Sequence, residues 1–453
     1  MNHYRNSGNS RNVVAKESIY LTLLILMLVL AGNVMADSGL DGSGTHDSSS
    51  TLQCSQNLRQ SDKLHHNGAA SIANGQLSKT NPQKAPKITI ENTTVLSPFR
   101  HQNTNFLALS RTGRCLAAYT NKFGQVVHYK TTDDGGFTWG EQMNLQDNDP
   151  DIALEAPVFW GGVSNVGMTS GGVIHFQGGR GTPIELNHPD WFGQKGWFSL
   201  PHFLFADDCL SWTDPNDTNA HVYLPDAIRQ ERTGGGYIWF WPLFSGKIIE
   251  LRNGELLAPM YGLFKEDPTD KSRVIVVRSK DKGRTWRYHA TVARNPVDPN
   301  PELPGIWVGY CEPSIAQLPD DRLLAVMRTG GADKPLYICW SSDLGLTWTR
   351  PVPTTPKLYS IWPTLQVLDN GVVACVHGRP GVHIAFSTDC GRTWPYKLTF
   401  SEQQTGITGM ADMVKVGPHR LLAIAGIEGG TKAFAVTVNL ASEASEQDDA
   451  DTK

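Results

Sequence analysis

With 453 residues, 40% of them apolar and 13 of them tryptophan, the chain has the material for a large core of more than one ordinary domain's size. Its formal charge of -4, without a basic block, excludes the phosphate-tracking surface of a nucleic-acid binder and leaves small neutral or anionic partners open. There is no glycine-rich phosphate loop and no metal-spaced His or Cys cluster, so the expectation is no cofactor and no metal.

In chain order, Arg5, Arg11 and Lys16 precede the apolar run I19-Y-L-T-L-L-I-L-M-L-V-L-A31, and V34-M-A36 offers a small-residue cleavage site. Residues 1–36 have the form of a secretory signal peptide, the run being short of the roughly 20 residues of a membrane span. The mature chain is expected to be secreted or periplasmic; residues 19–35 are a membrane anchor in the alternative in which the signal is retained. Residues 37–87 are polar and without periodicity and read as a disordered leader; residues 438–453 read as an acidic disordered tail. Between them, residues 88–437 are dense, structured text. All seven cysteines follow the signal, and the expectation is mostly buried free thiols with room for one disulfide.

The structured part repeats. S387-T-D-C-G-R-T-W394 shares its frame with T132-D-D-G-G-F-T-W139, S279-K-D-K-G-R-T-W286 and S341-S-D-L-G-L-T-W348. A worn copy, F205-A-D-D-C-L-S-W212, keeps Asp207, Ser211 and Trp212. Ahead of the boxes run strand-turn-strand texts beginning near Phe106, Val158, Lys247, Ser314, Thr364 and Met410. Short apolar strands, tight turn pairs and a recurrent motif predict an all-β fold. The specific expectation is a six-bladed β-propeller of four-stranded antiparallel blades with these boxes as hairpins. In each box, Asp accepts backbone N–H bonds, Gly takes a conformation other residues resist, and Trp packs between strands. The boxes therefore fold blades at the rim and perform no chemistry.

On these boxes the chain resembles the sialidase (neuraminidase) superfamily over roughly residues 88 to 437. That resemblance implies the propeller, and a glycan or glycoconjugate as substrate. Chemistry on a propeller belongs where the innermost strands begin around the axis. Glu155 in E155-A-P, Glu312 in C311-E-P and Asp412 in M410-A-D all stand at such starts, and carboxylate pairs serve glycoside hydrolysis. Arg328 ends the hairpin that Glu312 begins, and Arg379 holds the corresponding place in the next unit. Two guanidiniums suit bidentate recognition of an anionic group. His377, Arg180 and Trp362 complete the substrate-binding set.

The resemblance also implies a Tyr nucleophile activated by Glu, an Asp acid/base and three arginines. Glu312 and Arg328 match the Glu and the second Arg, and Arg379 approximates the third. The first Arg position reads N103-T-N-F106 with only Arg100 nearby, the loop Y119-T-N-K-F-G-Q-V-V127 carries no carboxylate, and Met410 stands where the Tyr is expected. Three readings follow. The first is a glycosidase of the wider superfamily in which Glu312 is base or nucleophile and Glu155 or Asp412 the acid, acting on a sugar, an acidic one where Arg328 and Arg379 hold it. The second is an exo-α-sialidase whose missing roles fall to Tyr310, Tyr359 or Arg100. The third is a glycan-binding propeller without turnover.

Overall fold

Apolar runs of four to nine residues alternate with tight turns, and the chain answers with strands throughout. A computed structural model describes residues 85–99, 106–120, 127–144, 164–169, 172–176, 182–183, 197–200, 202–205, 209, 220–224, 227–228, 243–251, 253–264, 267, 271–294, 309–329, 334–359, 362–402 and 411–440. All of them fall within the unit Thr51–Lys453.

Four regular four-stranded antiparallel sheets are present. The first joins Phe106–Leu109, Cys115–Thr120, Val127–Thr132 and Met143–Asn144. The fourth unit joins Cys311–Gln317, Leu323–Arg328, Tyr337–Ser341 and Val352–Pro353. The fifth joins Thr364–Val367, Val373–Gly378, Val382–Ser387 and Tyr396–Ser401. The last is built from Ala411–Gly417, Arg420–Ile427 and Gly430–Leu440 and is completed by the N-terminal strand Pro86–Ser97. Pairing the first described strand with the last ties the two ends of the propeller together. A fifth blade, in unit three, comprises Ile249–Glu250, Leu256–Phe264, Arg273–Ser279 and Thr285–Ala293.

Six four-stranded antiparallel blades were the expectation; among the described residues there are five. Among the described residues, unit two contributes Ser164–Thr169, Gly172–Phe176 and His202–Phe205 to a three-stranded sheet. The next strand, Ala220–Tyr223, pairs in parallel with Thr285–Ala293 of unit three and antiparallel with Trp197–Leu200. It thereby extends the unit-three sheet to nine strands. The worn box supplies the physical reason. Phe205 replaces the hydroxyl residue that opens every good box, and Cys209 occupies the glycine position at φ +55°. A box without that hydroxyl has one tie fewer on its turn, and the next described strand pairs with the neighbouring unit.

The good boxes are built as their residue types demand. Asp389 accepts from the Thr393 amide at 2.9 Å and the Thr393 hydroxyl at 2.6 Å, while Ser387 Oγ accepts from Gly391 N at 2.9 Å. The residue before the box glycine is left-handed in Lys282, Leu344 and Cys390. Trp286 and Trp348 donate back to the glycine carbonyl at 2.8 and 3.0 Å. Four of the contacts between neighbouring units are filled by apolar clusters. One apolar cluster joins units three and four, a second four and five, a third five and six, and a fourth six and one.

Cys115, Cys209, Cys311, Cys339 and Cys375 are free and buried, and Cys390 is disulfide-bonded to a partner outside the described residues. Among the described residues no helix is long and apolar enough to cross a membrane; the run at 19–31 lies outside them.

Candidate functional site

The ends of units four and five meet at one cluster. Glu312 lies in the inner strand Cys311–Gln317 with φ +46°, and the ladder to the next strand skips between Cys311 and Ser314 at that point. The antiparallel register sets Cys311 opposite Arg328, so the sixteen residues between Glu312 and Arg328 collapse into a contact. Arg328 Nη1 donates to Glu312 Oε1 at 2.7 Å, and the Trp362 backbone N–H donates to Glu312 Oε2 at 3.1 Å. Glu312 is buried, at 7% exposure. Both its oxygens accept hydrogen bonds, which fixes the carboxylate in the plane of the cluster.

Arg379 follows the strand Val373–Gly378 and has φ +55°. Burial depresses its pKa from the usual arginine value, and the neighbouring Arg328 charge depresses it further, with Glu312 opposing. Its Nε is buried without a hydrogen-bond partner. Two guanidiniums and one carboxylate make these three groups net positive, with the carboxylate buried and the arginines half-buried.

Backbone strain marks the same spot. Among the described residues, eight non-glycine residues have positive φ. Cys209, Lys282, Leu344 and Cys390 belong to boxes, and Asp321 belongs to a hairpin turn. The remaining three are Glu312, Trp362 and Arg379. Each such residue costs about 1–3 kcal/mol and persists only where its surroundings impose it, as at functional sites.

Asp412 occupies a different place. Its Oδ2 accepts from Leu107 N at 2.7 Å and forms a very short contact with Lys247 Nζ, while Oδ1 accepts from Met413 N at 2.8 Å. Lys247 also donates to Leu107 O at 2.7 Å. Units one, three and six are thus joined through a buried ion pair.

Residues 206–417 match the model of a BNR repeat-like domain. Over the whole fold, the chain is similar to a protein of unknown function from Dyadobacter fermentans, with 17% identity and a TM-score of 0.54 over 78% of this chain and 99% of that one. It is also similar to the Hadza microbial sialidase Hz136, with 17% identity and a TM-score of 0.51 over 73% of this chain and 64% of that one. The chain has the sialidase-type propeller fold, and its residues 206–417 are similar to a BNR repeat-like domain. No curated protein matches its sequence. At such identities the likeness speaks for the fold, and the chemistry of the propeller has to be argued from its own residues.

Of the residues singled out from the sequence, the propeller brings Glu312, Arg328, Arg379 and Trp362 together. His377 stands apart. It is buried with neither ring nitrogen hydrogen-bonded, its ring is 5.1 Å from that of His383, and the charges acting on it are those of His383 and Lys397. Glu155, Arg180, Arg100 and Met410 lie outside the described residues. Tyr310 packs edge-on against Tyr337 at 5.9 Å, and burial pushes its hydroxyl up to about 12. Tyr359 is engaged through its carbonyl, which accepts from Gly378 N.

Three residues escaped the sequence reading. Lys247 opens the apolar stretch K247-I-I-E-L just as Glu312 and Asp412 open theirs, so the strand-start rule applied to unit three would have found it. Ser245 accepts the Trp362 indole N–H at 3.2 Å, a contact across 117 residues that no local pattern announces. Tyr261 is buried in the run L256-L-A-P-M-Y-G-L-F264; burial first, then the charges of Glu312 and Cys311, drive its hydroxyl pKa well up. Among the described residues no group of three or more His, Cys, Asp or Glu is placed to hold a metal ion.

Proposed function

We propose that this propeller is a glycoside hydrolase acting on a glycan whose anionic group is held by Arg328 and Arg379, with Glu312 as base or nucleophile. The observation that carries the reading is Arg379. Its Nε is buried without a hydrogen-bond partner, and the charges of Arg328 and Glu312 act on its guanidinium. A carboxylate or sulfate on the substrate offers Arg379 the acceptor that its Nε lacks, and two guanidiniums suit such a group. Trp362, at the opening of unit five, is suited to stack on the sugar.

Glu312 accepts on both oxygens, which suits it to take a proton or attack a carbon and not to deliver a proton. Asp412 is already committed to Lys247 and two backbone amides, so its carboxylate is ill placed to act as the acid. The acid role therefore falls to Glu155. An exo-α-sialidase is the narrower form of this reading. The occupied state of Asp412 also favours a second reading, a glycan-binding propeller without turnover.

The test is hydrolysis of aryl glycosides by the mature propeller and its Glu312→Gln variant. The panel comprises α-sialosides, uronides, sulfated sugars and neutral hexosides. Turnover of an anionic member, lost in a folded Glu312→Gln, is the expected result. Cleavage of sialosides alone selects the sialidase. Cleavage of neutral hexosides alone overturns the role given to the arginines, and silence with retained glycan binding selects the second reading.

A further inference from the structure

Ser245, Gly246 and Lys247 form a short segment that touches four other units of the propeller. Ser245 is wholly buried, and its backbone N–H donates to Pro259 O at 3.1 Å within its own blade. Its hydroxyl accepts the Trp362 indole N–H from unit five at 3.2 Å. Gly246, at φ +74°, lies so close to unit four that a Cβ there would stand 2.6 Å from Pro313 O and 2.9 Å from Ser314 Cα. Lys247 reaches Leu107 O of unit one and Asp412 of unit six. The segment thus presses on the residue that follows Glu312 and grips the residue whose amide holds Glu312.

We infer that Ser245 is a positioning residue for Glu312, acting through Trp362. The inference rests on the reading of Glu312 as base or nucleophile. Trp362 is held at both ends, by its backbone N–H on Glu312 Oε2 and by its indole on Ser245 Oγ. Its φ of +41° is one that a tryptophan adopts only under constraint. Ser245 supplies that constraint, because the rest of its segment is anchored at Gly246 and Lys247. Removing the hydroxyl leaves the indole N–H without that acceptor. The Trp362 backbone is then free to relax, and Glu312 loses the donor that fixes its second oxygen. A carboxylate free to rotate spends less time in the reactive geometry.

The experiment is a double-mutant cycle of Ser245→Ala and Trp362→Phe, with Ser245→Thr as the conservative variant. All are assayed well below their melting temperatures on whichever panel sugar the wild type cleaves. Loss of one positioning hydrogen bond is expected to lower kcat roughly five- to tenfold in Ser245→Ala, with KM within about twofold. The double variant should be no worse than the poorer single one, and Ser245→Thr should recover most of kcat. Additive losses in the cycle, or a Ser245→Ala kcat equal to wild type, overturn the inference.

A second readout needs no turnover. Hydrogen exchange at the Trp362 amide reports its bond to Glu312 directly, and Ser245→Ala should speed it by about tenfold. Unchanged exchange overturns the inference even in an active enzyme. Faster exchange with a silent sugar panel defeats the hydrolase reading and leaves the positioning of Glu312 by Ser245 standing.

Discussion

Replacing His377 by phenylalanine should remove a large part of the acid sensitivity of this fold. Burial is the first cause depressing the His377 pKa, with the charges of His383 and Lys397 adding to it, and together they bring it from 6.5 to about 3. The other ring in contact, His383, donates from Nε2 to Pro380 O and bonds Thr399 Oγ1 through Nδ1, both at 3.0 Å, and its own pKa is also lowered, chiefly by burial. Between the two His377 values, the unfolded chain binds a proton that the folded chain refuses. Stability therefore rises with pH through that window and falls as acid is added. From about pH 7 to about pH 5, the His377 share of the loss comes to about 2 kcal/mol. Over the roughly 350 residues between Ile88 and Thr437, at about 2.1 cal/mol/K each, that is a melting temperature lower by about 3 °C. Phenylalanine preserves a flat ring and cannot titrate, so His377→Phe should lose about that much less over the same pH range, leaving the smaller slope due to His383. It should also be at least as stable as wild type near neutral pH, since two unpartnered buried nitrogens disappear. The assay is thermal and urea unfolding of both proteins across the pH series. Parallel stability curves for the two would refute the reasoning, as would a His377 ring resonance titrating near 6.5.

The buried pair at the centre makes a second prediction: Asp412→Asn leaves Lys247 without its counter-charge and should cost about 3–5 kcal/mol, whereas Asp412→Leu combined with Lys247→Met should recover most of it, both read by urea unfolding. Gly246→Ala should cost about 2–4 kcal/mol, because the new Cβ meets backbone of unit four and φ is positive; unfolding midpoints within error of wild type would contradict the close approach. In the box at Ser341, Asp343→Ala removes the acceptor for the Thr347 amide and hydroxyl and for Ser341 Oγ, with an expected cost of about 2–3 kcal/mol in chemical denaturation. Burial acts to raise the Asp343 pKa, but the Thr347 and Ser341 hydrogen bonds prevail and hold it below 3.8. Its contribution is thus present above that value and lost as pH falls beneath it, so the stability gap between Asp343→Ala and wild type should narrow below about pH 4.

The local alphabet of this propeller is written in its one-dimensional text. Ser, Asp, Gly, Thr and Trp at fixed offsets dictate a turn whatever surrounds it, because Asp389 and its counterparts bond only to atoms within the same few residues. Strand starts bearing Glu312 and Asp412, and strand ends bearing Arg328 and Arg379, are legible for a similar reason: a charge at the end of an apolar run must leave the core or find a partner. Which partner it finds is not a local matter. Glu312 and Asp412 look alike in sequence, yet Glu312 meets two arginines while Asp412 is taken by Lys247, 165 residues away. Ser245 and Tyr261 drew no notice because an apolar or small-residue run has the same appearance whether or not a carboxylate lies across the axis.

The count of blades failed on the same ground. Repeats of text predict repeats of structure only if each box still closes its hairpin, and at Cys209 the box has lost both its hydroxyl and its glycine. Ala220–Tyr223 then found a better edge on unit three. Turn chemistry and strand pattern act over a few residues and were determined by the sequence alone. Strand partners, the neighbours of each buried charge and the left-handed backbone of Glu312, Trp362 and Arg379 depend on contacts between distant segments, and only the closed ring decides them.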